Sequence, residues 1–136
     1  FRYAPRAVFT EFPAGKRDPG EATIETAVRE LAEEAGYQAQ AWAFLTRIYP
    51  AIGFADELMD IWLCKGLSRV QQRLDEGERL QLHWVSIGSL LEAIAKHQVP
   101  DVKTQIASLW LARIHDGLAE WPTFHAASYW KDNPPI

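Results

Sequence analysis

The sequence predicts a single domain of the mixed α/β class, with a sheet held between helices. Three observations carry that expectation. The chain has 136 residues, 48% of them hydrophobic, which is enough for one sizeable core. One segment repeats apolar residues at helical spacing. Short β-leaning runs stand before and after it, and two further helical patterns follow them.

Taken in order, "RAVFTEF" (Arg6 to Phe12) is short and partly alternating and reads as a strand running into the turn "PAGKRDPGE". A helix follows, because Ile24, Ala27, Val28, Leu31 and Ala35 fall on one stripe about 100° wide. Gly36 is placed to end it as a left-handed cap. Two strands are expected at Ala43 to Tyr49 and Glu57 to Leu67, separated by the loop "PAIGFAD". A polar stretch, "SRVQQRLDEGER", leads into a further strand, "LQLHWV", Leu80 to Val85. Helices are expected around Ile87 to His97 and Asp101 to Leu118, the second with Val102, Ile106, Leu109 and Ile114 on its apolar side. The tail from Trp121 is rich in aromatics and prolines and receives no element. There is no internal repeat.

A net charge of -4 argues against a nucleic-acid partner, because phosphate backbones select basic surfaces. An acidic chain can still bind phosphates if metal ions supply the positive charge. Cys64 is the single cysteine, so no disulfide framework exists and a reducing, cytoplasmic setting is expected. No apolar run reaches the roughly 18 residues of a membrane span, so no membrane partner is expected. The chain begins at Phe1, without a methionine, inside a strand-like run; strands N-terminal to it are therefore expected to be missing.

The helix from Ile24 concentrates like charges. Glu30, Glu33 and Glu34 lie three and four residues apart, so they project into one arc beside the apolar stripe. Like charges at that spacing cost an isolated helix a few tenths of a kcal/mol per pair. A divalent cation reverses the sign of that interaction, and carboxylate oxygens are what a hard ion such as Mg²⁺ prefers. Arg29, four residues before Glu33, can hold that carboxylate through a charge-assisted bond. Taken alone, such a run is more often a solvated acidic face.

The wider spacing overturns that ordinary reading. Gly15, five residues, Glu21, seven residues and then "RELAEEAGY" fit G-x5-E-x7-R-E-U-x-E-E-x-G-U, with U a bulky apolar residue and Tyr37 an aromatic variant at the last position. This resembles the signature of the Nudix hydrolases. The approach "FRYAPRAVFTEFPAGKRDPGE", the loop "YPAIGFADE", the stretch "DEGERLQLHWV" and "VPDVKTQIASLWL" are similar to ADP-ribose pyrophosphatases within that superfamily. Together they cover most of residues 1 to 118, leaving 119–136 as a tail.

The resemblance implies a Nudix α/β/α sandwich with a mixed sheet between helices. It also implies Mg²⁺ or Mn²⁺ as cofactor, held by Glu30, Glu34, Glu78 and the backbone carbonyl of Ala14. Glu33 is then a further ligand or a supporting carboxylate, positioned by Arg29. Glu76 is the residue that accepts a proton from the attacking water. Arg2, Glu57 and Gly15 are expected at the substrate; Phe1 and Tyr3 could stack on a base, although core packing is the commoner use of such residues. The four histidines have no ligand spacing, and Cys64 reads as an inert small hydrophobe. The implied reaction is hydrolysis of ADP-ribose, a nucleoside diphosphate sugar, to AMP and ribose 5-phosphate, in a homodimer. Other nucleotide sugars or dinucleotides, and a Nudix domain that only senses a nucleotide, remain as alternatives.

Overall fold

The computed structural model describes residues 2, 4–74 and 77–135, so Phe1, Tyr3, Asp75, Glu76 and Ile136 lie outside the described residues. The elements run α1 (Thr23–Ala35), β1 (Tyr37–Ile48), β2 (Met59–Arg69), α2 (Ile87–Ala95), α3 (Val102–His115) and α4 (Ala127–Asp132). The mixed α/β class is as expected. The sheet among the described residues is a two-stranded antiparallel ribbon, where a mixed sheet was expected. No described helix is long and apolar enough to cross a membrane. The chain divides into two compact units: residues 13–80 with 122–136, and residues 1–12 with 81–121.

The first unit holds α1, the ribbon and the tail. In α1, Ile24 and Ala35 are buried and Ala27, Val28 and Leu31 half-buried, so the predicted stripe is the packed face. The Glu25 carboxylate accepts the Ala22 N–H and so covers one of the free donors at the helix start. Gly36 ends α1 at φ 68°, as its sequence position predicted. β1 then follows with no intervening loop, starting six residues before the expected strand.

The ribbon contains a bulge between Phe44 and Thr46, after which Arg47 lies opposite Asp60. Arg47 donates from Nε and Nη2 to both oxygens of the Asp60 carboxylate, at 2.7 and 2.9 Å. The Thr23 hydroxyl donates to the same carboxylate at 2.8 Å, tying the first turn of α1 to the ribbon. The Asp60 side chain is only 1% exposed, so these three bonds replace the water it has lost.

The tail, which has no predicted element, docks along β1. His125 and Trp42 exchange backbone hydrogen bonds at 2.7 and 2.9 Å, which blocks that point of the strand's open edge. The Trp130 indole N–H donates to the Trp42 carbonyl at 2.8 Å. Its ring meets Trp62 edge-on at 5.3 Å, and His125 stacks on Tyr129 at 3.8 Å. Lys131 on α4 pairs with Glu25 on α1. Nothing in the tail's local periodicity announces this; the signal is the aromatic content, which needs tertiary partners to be read.

The second unit packs α2 against α3. The Asp101 carboxylate caps α3, accepting from both the Thr104 N–H and the Thr104 hydroxyl. Thr104, Ala107, Ser108 and Ile114 form the buried side of α3, while Val102 and Leu109 are exposed. The apolar face expected through Val102, Ile106, Leu109 and Ile114 is therefore rotated. Its cause is polar: the Phe12 N–H donates to Thr104 Oγ1, and Ser108 Oγ donates to the Thr104 carbonyl. Small residues whose hydroxyls are satisfied locally can be buried cheaply.

Two expected strands do not form among the described residues. Residues 8–12 form no ladder, and only an isolated bridge joins Arg2 to Ala7. Leu80 to Val85 has strand-like alternation but belongs to no strand ladder among the described residues, and Leu80, Leu82, Trp84 and Val85 are exposed. Alternation states a face preference; only a neighbouring strand makes it a ladder.

If the tail is a structural strap, Trp130→Ala removes both an indole hydrogen bond and an aromatic contact. Because Trp130 is only half-buried, the expected loss is about 2 kcal/mol, below the ~3–5 kcal/mol of a fully buried aromatic. Urea denaturation of the variant measures it, and an unchanged midpoint would mean that the tail is only draped on the ribbon.

Candidate active site on α1

The carboxylates of α1 are organised by one guanidinium. Arg29 donates from Nε and Nη2 to the two oxygens of Glu21, each at 3.0 Å, a two-pronged pairing for which the planar fork is suited. Nη1 donates to Glu30 at 2.7 Å and to Glu33 at 3.1 Å. Nη2 also donates to the carbonyl of Lys16 at 2.9 Å, so the turn before α1 is pinned by the same group. The three like charges on one turn are thus partly neutralised from within the chain.

Glu21 is further held by the Asp18 N–H and the Thr26 hydroxyl. The Arg29 hydrogen bonds, then the backbone donor, push its carboxyl down to about 2. Each donor favours the charged form, and on Arg29 the same contacts raise the pKa further above its ordinary value. The sequence signature contains Glu21, but spacing alone does not say what it does; the structure shows it as the support for Arg29.

The turn Pro13–Gly20 is drawn against this cluster. The Ala14 N–H donates to Glu34 Oε2 at 2.9 Å. A Cβ on Gly15 would lie within 2.5 Å of the Glu30 carboxylate, so the backbone passes the carboxylate where a side chain cannot. Ala14, Gly15, Arg29, Glu30, Glu33 and Glu34 are therefore brought together.

The remaining candidates stand differently. Glu78 is exposed in the stretch after β2, and Glu57 is exposed in the loop between β1 and β2. Arg2 belongs to the other compact unit, where it pairs with Glu11 through two hydrogen bonds of 2.8 and 2.7 Å. Those bonds, with Lys103 opposing the cost of burial, bring the Glu11 carboxyl to about 2. Glu76, the expected proton acceptor, and Phe1 and Tyr3, read as core residues or stacking candidates, lie outside the described residues. Cys64 is half-buried, and burial pushes its thiol up to about 11, as suits an unreactive side chain.

The donor set suits a hard divalent cation, since Glu30, Glu33, Glu34, Glu78 and the Ala14 carbonyl offer only oxygen. Arg29 occupies one oxygen of Glu30 and one of Glu33, which leaves each carboxylate a second for another partner. Among the described residues, no three acidic, histidine or cysteine side chains converge as a ready-made metal-binding group. The described residues thus present a carboxylate face held by an arginine.

The chain that carries this capped helix, close-passing glycine turn and arginine-braced row of glutamates belongs to a defined family. The NUDIX domain family matches residues 2–105, and the chain is a member of it. An ADP-ribose pyrophosphatase of Bacillus subtilis (strain 168) is 36% identical over 113 residues, covering 82% of this chain and 61% of that protein. A methanol dehydrogenase activator of Bacillus methanolicus is 38% identical over 103 residues, covering 74% of this chain and 56% of that protein. A second ADP-ribose pyrophosphatase, from Mycobacterium tuberculosis (strain ATCC 25618 / H37Rv), is 34% identical over 92 residues, covering 65% of this chain and 44% of that protein. The chain spans between 44% and 61% of the length of these relatives.

Two outcomes test this geometry. Glu21 has a folded-state pKa below its ordinary 4.5, so its stabilisation is complete above pH 4.5 and is lost as pH falls toward about 2. Glu11 contributes over the same window, so Glu21→Gln should flatten, but not abolish, the fall in melting temperature between pH 4.5 and 2. A slope identical to wild type would remove Glu21 from the pairing with Arg29. Gly15→Ala meets the far end of a flexible side chain, so the loss of stability should be about 1 kcal/mol, the low end for an added methyl. The Glu30 carboxylate must still swing away from Arg29, and a crystal structure of the variant with Glu30 unmoved would refute the close approach.

Proposed function

We propose that the protein is a metal-dependent pyrophosphohydrolase that cleaves the diphosphate of ADP-ribose. One observation carries the reading: Arg29 gathers Glu21, Glu30, Glu33 and the Lys16 carbonyl into one cluster, with Ala14 fastened to Glu34 beside it. The similarity to two ADP-ribose pyrophosphatases supports the substrate.

In the proposed reaction a water oxygen bonds to one phosphorus of the diphosphate and the bridging P–O bond breaks. AMP and ribose 5-phosphate are released. Mg²⁺ or Mn²⁺, when bound, would neutralise the diphosphate and lower the pKa of water. Glu30, Glu34, Glu78 and the Ala14 carbonyl would hold it, with Glu33 alongside. Arg29 keeps Glu30 and Glu33 in place, and Glu76 takes the proton from water. Arg2, Gly15 and Glu57 are assigned to substrate contacts. The same reading places the catalytic domain in residues 1–118, the tail in 119–136, and the protein in the cytoplasm as a homodimer. It assigns neither a nucleic-acid nor a membrane partner.

A second reading has its own support, because one relative is named as an activator of another enzyme. On that reading the domain binds a nucleotide and hydrolyses it slowly or not at all. Incubation with ADP-ribose and Mg²⁺, with AMP and ribose 5-phosphate measured as products, separates the two. Turnover is expected, and Glu34→Gln should lower kcat by about 10²-fold or more while leaving the fold intact. No product from the wild type would favour the activator reading, and product from another nucleoside diphosphate derivative alone would move the substrate assignment.

A further inference from the structure

The last turn of an α-helix leaves carbonyls without intrahelical donors. In α1 those of Glu33 and Glu34 are taken by the stretch that follows β2. The Arg73 N–H donates to the Glu33 carbonyl at 3.1 Å, and the Gln72 side-chain amide donates to the Glu34 carbonyl. One step earlier, the Val70 N–H donates to the Gly36 carbonyl at 2.9 Å. Residues 70–73 are thus stitched to the turn that carries two of the clustered carboxylates.

Gly36 makes this approach possible. A Cβ there would stand 3.2 Å from Gln72 Cβ and 3.3 Å from the Val70 carbonyl, in addition to the strain of φ 68°. The glycine that ends α1 therefore does two things: it turns the chain and it lets residues 70–72 pass. Two of the three bonds come from backbone and cannot be altered by an ordinary side-chain change. Gln72 supplies the third, from an exposed position where no packing demand explains an amide.

We propose that Gln72 is a positioning residue, whose side-chain amide, by donating a hydrogen bond to the Glu34 carbonyl, holds the stretch leading to Glu78 against the carboxylate-bearing turn of α1. It touches neither substrate nor metal. It sets how far Glu78, six residues on, can stray from Glu33 and Glu34. The proposal rests on the metal-dependent reading above for its functional consequence, but its structural half does not.

Two variants test it. Gln72→Met keeps length and flexibility and removes the donor; Gln72→Lys restores a donor of similar reach. Amide hydrogen exchange is followed at Arg73, together with Mn²⁺ affinity by electron paramagnetic resonance and kcat on ADP-ribose. For Gln72→Met the Arg73 amide should exchange about 10-fold faster, and Mn²⁺ affinity should fall about 3- to 10-fold. Where turnover is measurable, kcat should fall and KM change little, while the melting temperature stays within a few degrees. Gln72→Lys should recover the Arg73 protection. Unchanged Arg73 exchange in Gln72→Met overturns the proposal whether or not the protein is an enzyme. Faster exchange with unchanged Mn²⁺ affinity also overturns it, reducing Gln72 to a local fastening. A wild type that binds Mn²⁺ but leaves ADP-ribose intact would instead count against the substrate reading alone.

Discussion

The Arg29 guanidinium is the group on which the site depends. Three carboxylates on one helical turn repel one another, and a folded helix can keep them only if something offsets that repulsion. Arg29 does so with a rigid fork that reaches Glu21, Glu30 and Glu33 together and still spares a bond for the Lys16 carbonyl. Lysine could supply the charge but not the simultaneous directions. The turn, the start of α1 and its acidic face are consequently one electrostatic unit, and the Ala14 bond to Glu34 closes it on the other side.

What could be read in the sequence follows the range of each force. α1 was legible to its end because a helix is specified by near neighbours, and both its stripe and the Gly36 cap are local signals. The two ribbon strands were legible in kind, although β1 begins earlier than its β-branched and aromatic residues suggest, since Tyr37–Gln40 are strand only through pairing with residues 67–69. Leu80 to Val85 shows the reverse case, a periodicity that finds no ladder among the described residues. The face of α3 was misplaced because Thr104 and Ser108 read as polar by type, and only their hydrogen bonds make them interior. In the site, the spacing picked out Arg29 and the glutamates, but not that Glu21 steadies Arg29 or that Gln72 reaches Glu34. Those links join residues 8 and 38 apart in the chain, and no short pattern encodes them.

The relatives show how much such a cluster leaves undecided. Proteins named for ADP-ribose hydrolysis and for enzyme activation resemble this chain to nearly the same degree. On the proposed reading, a braced carboxylate face serves diphosphates as a class, through the divalent cation it would hold. Discrimination among them must come from groups that meet the base and sugar, which such a face does not contain. The exposed loop between β1 and β2, with Ile52 and Phe54 82% and 91% exposed, has the freedom to differ between relatives without disturbing α1.

The bulge in the ribbon has a consequence for how the chain avoids misfolding. Had β1 continued past Phe44 in the register that pairs it with Trp62, Arg47 would stand across from Met59, and Asp60 would face Thr46 on the opposite side. The carboxylate, 1% exposed in the native state, would then be buried without its cation. Leaving one partner of such a pair alone costs about 3–5 kcal/mol, more than a slipped ladder recovers elsewhere. The ion pair thus acts as a proofreading element: it adds little to the correct ribbon and penalises the near-miss, so the register that seats the first turn of α1 on Asp60 is the one that survives.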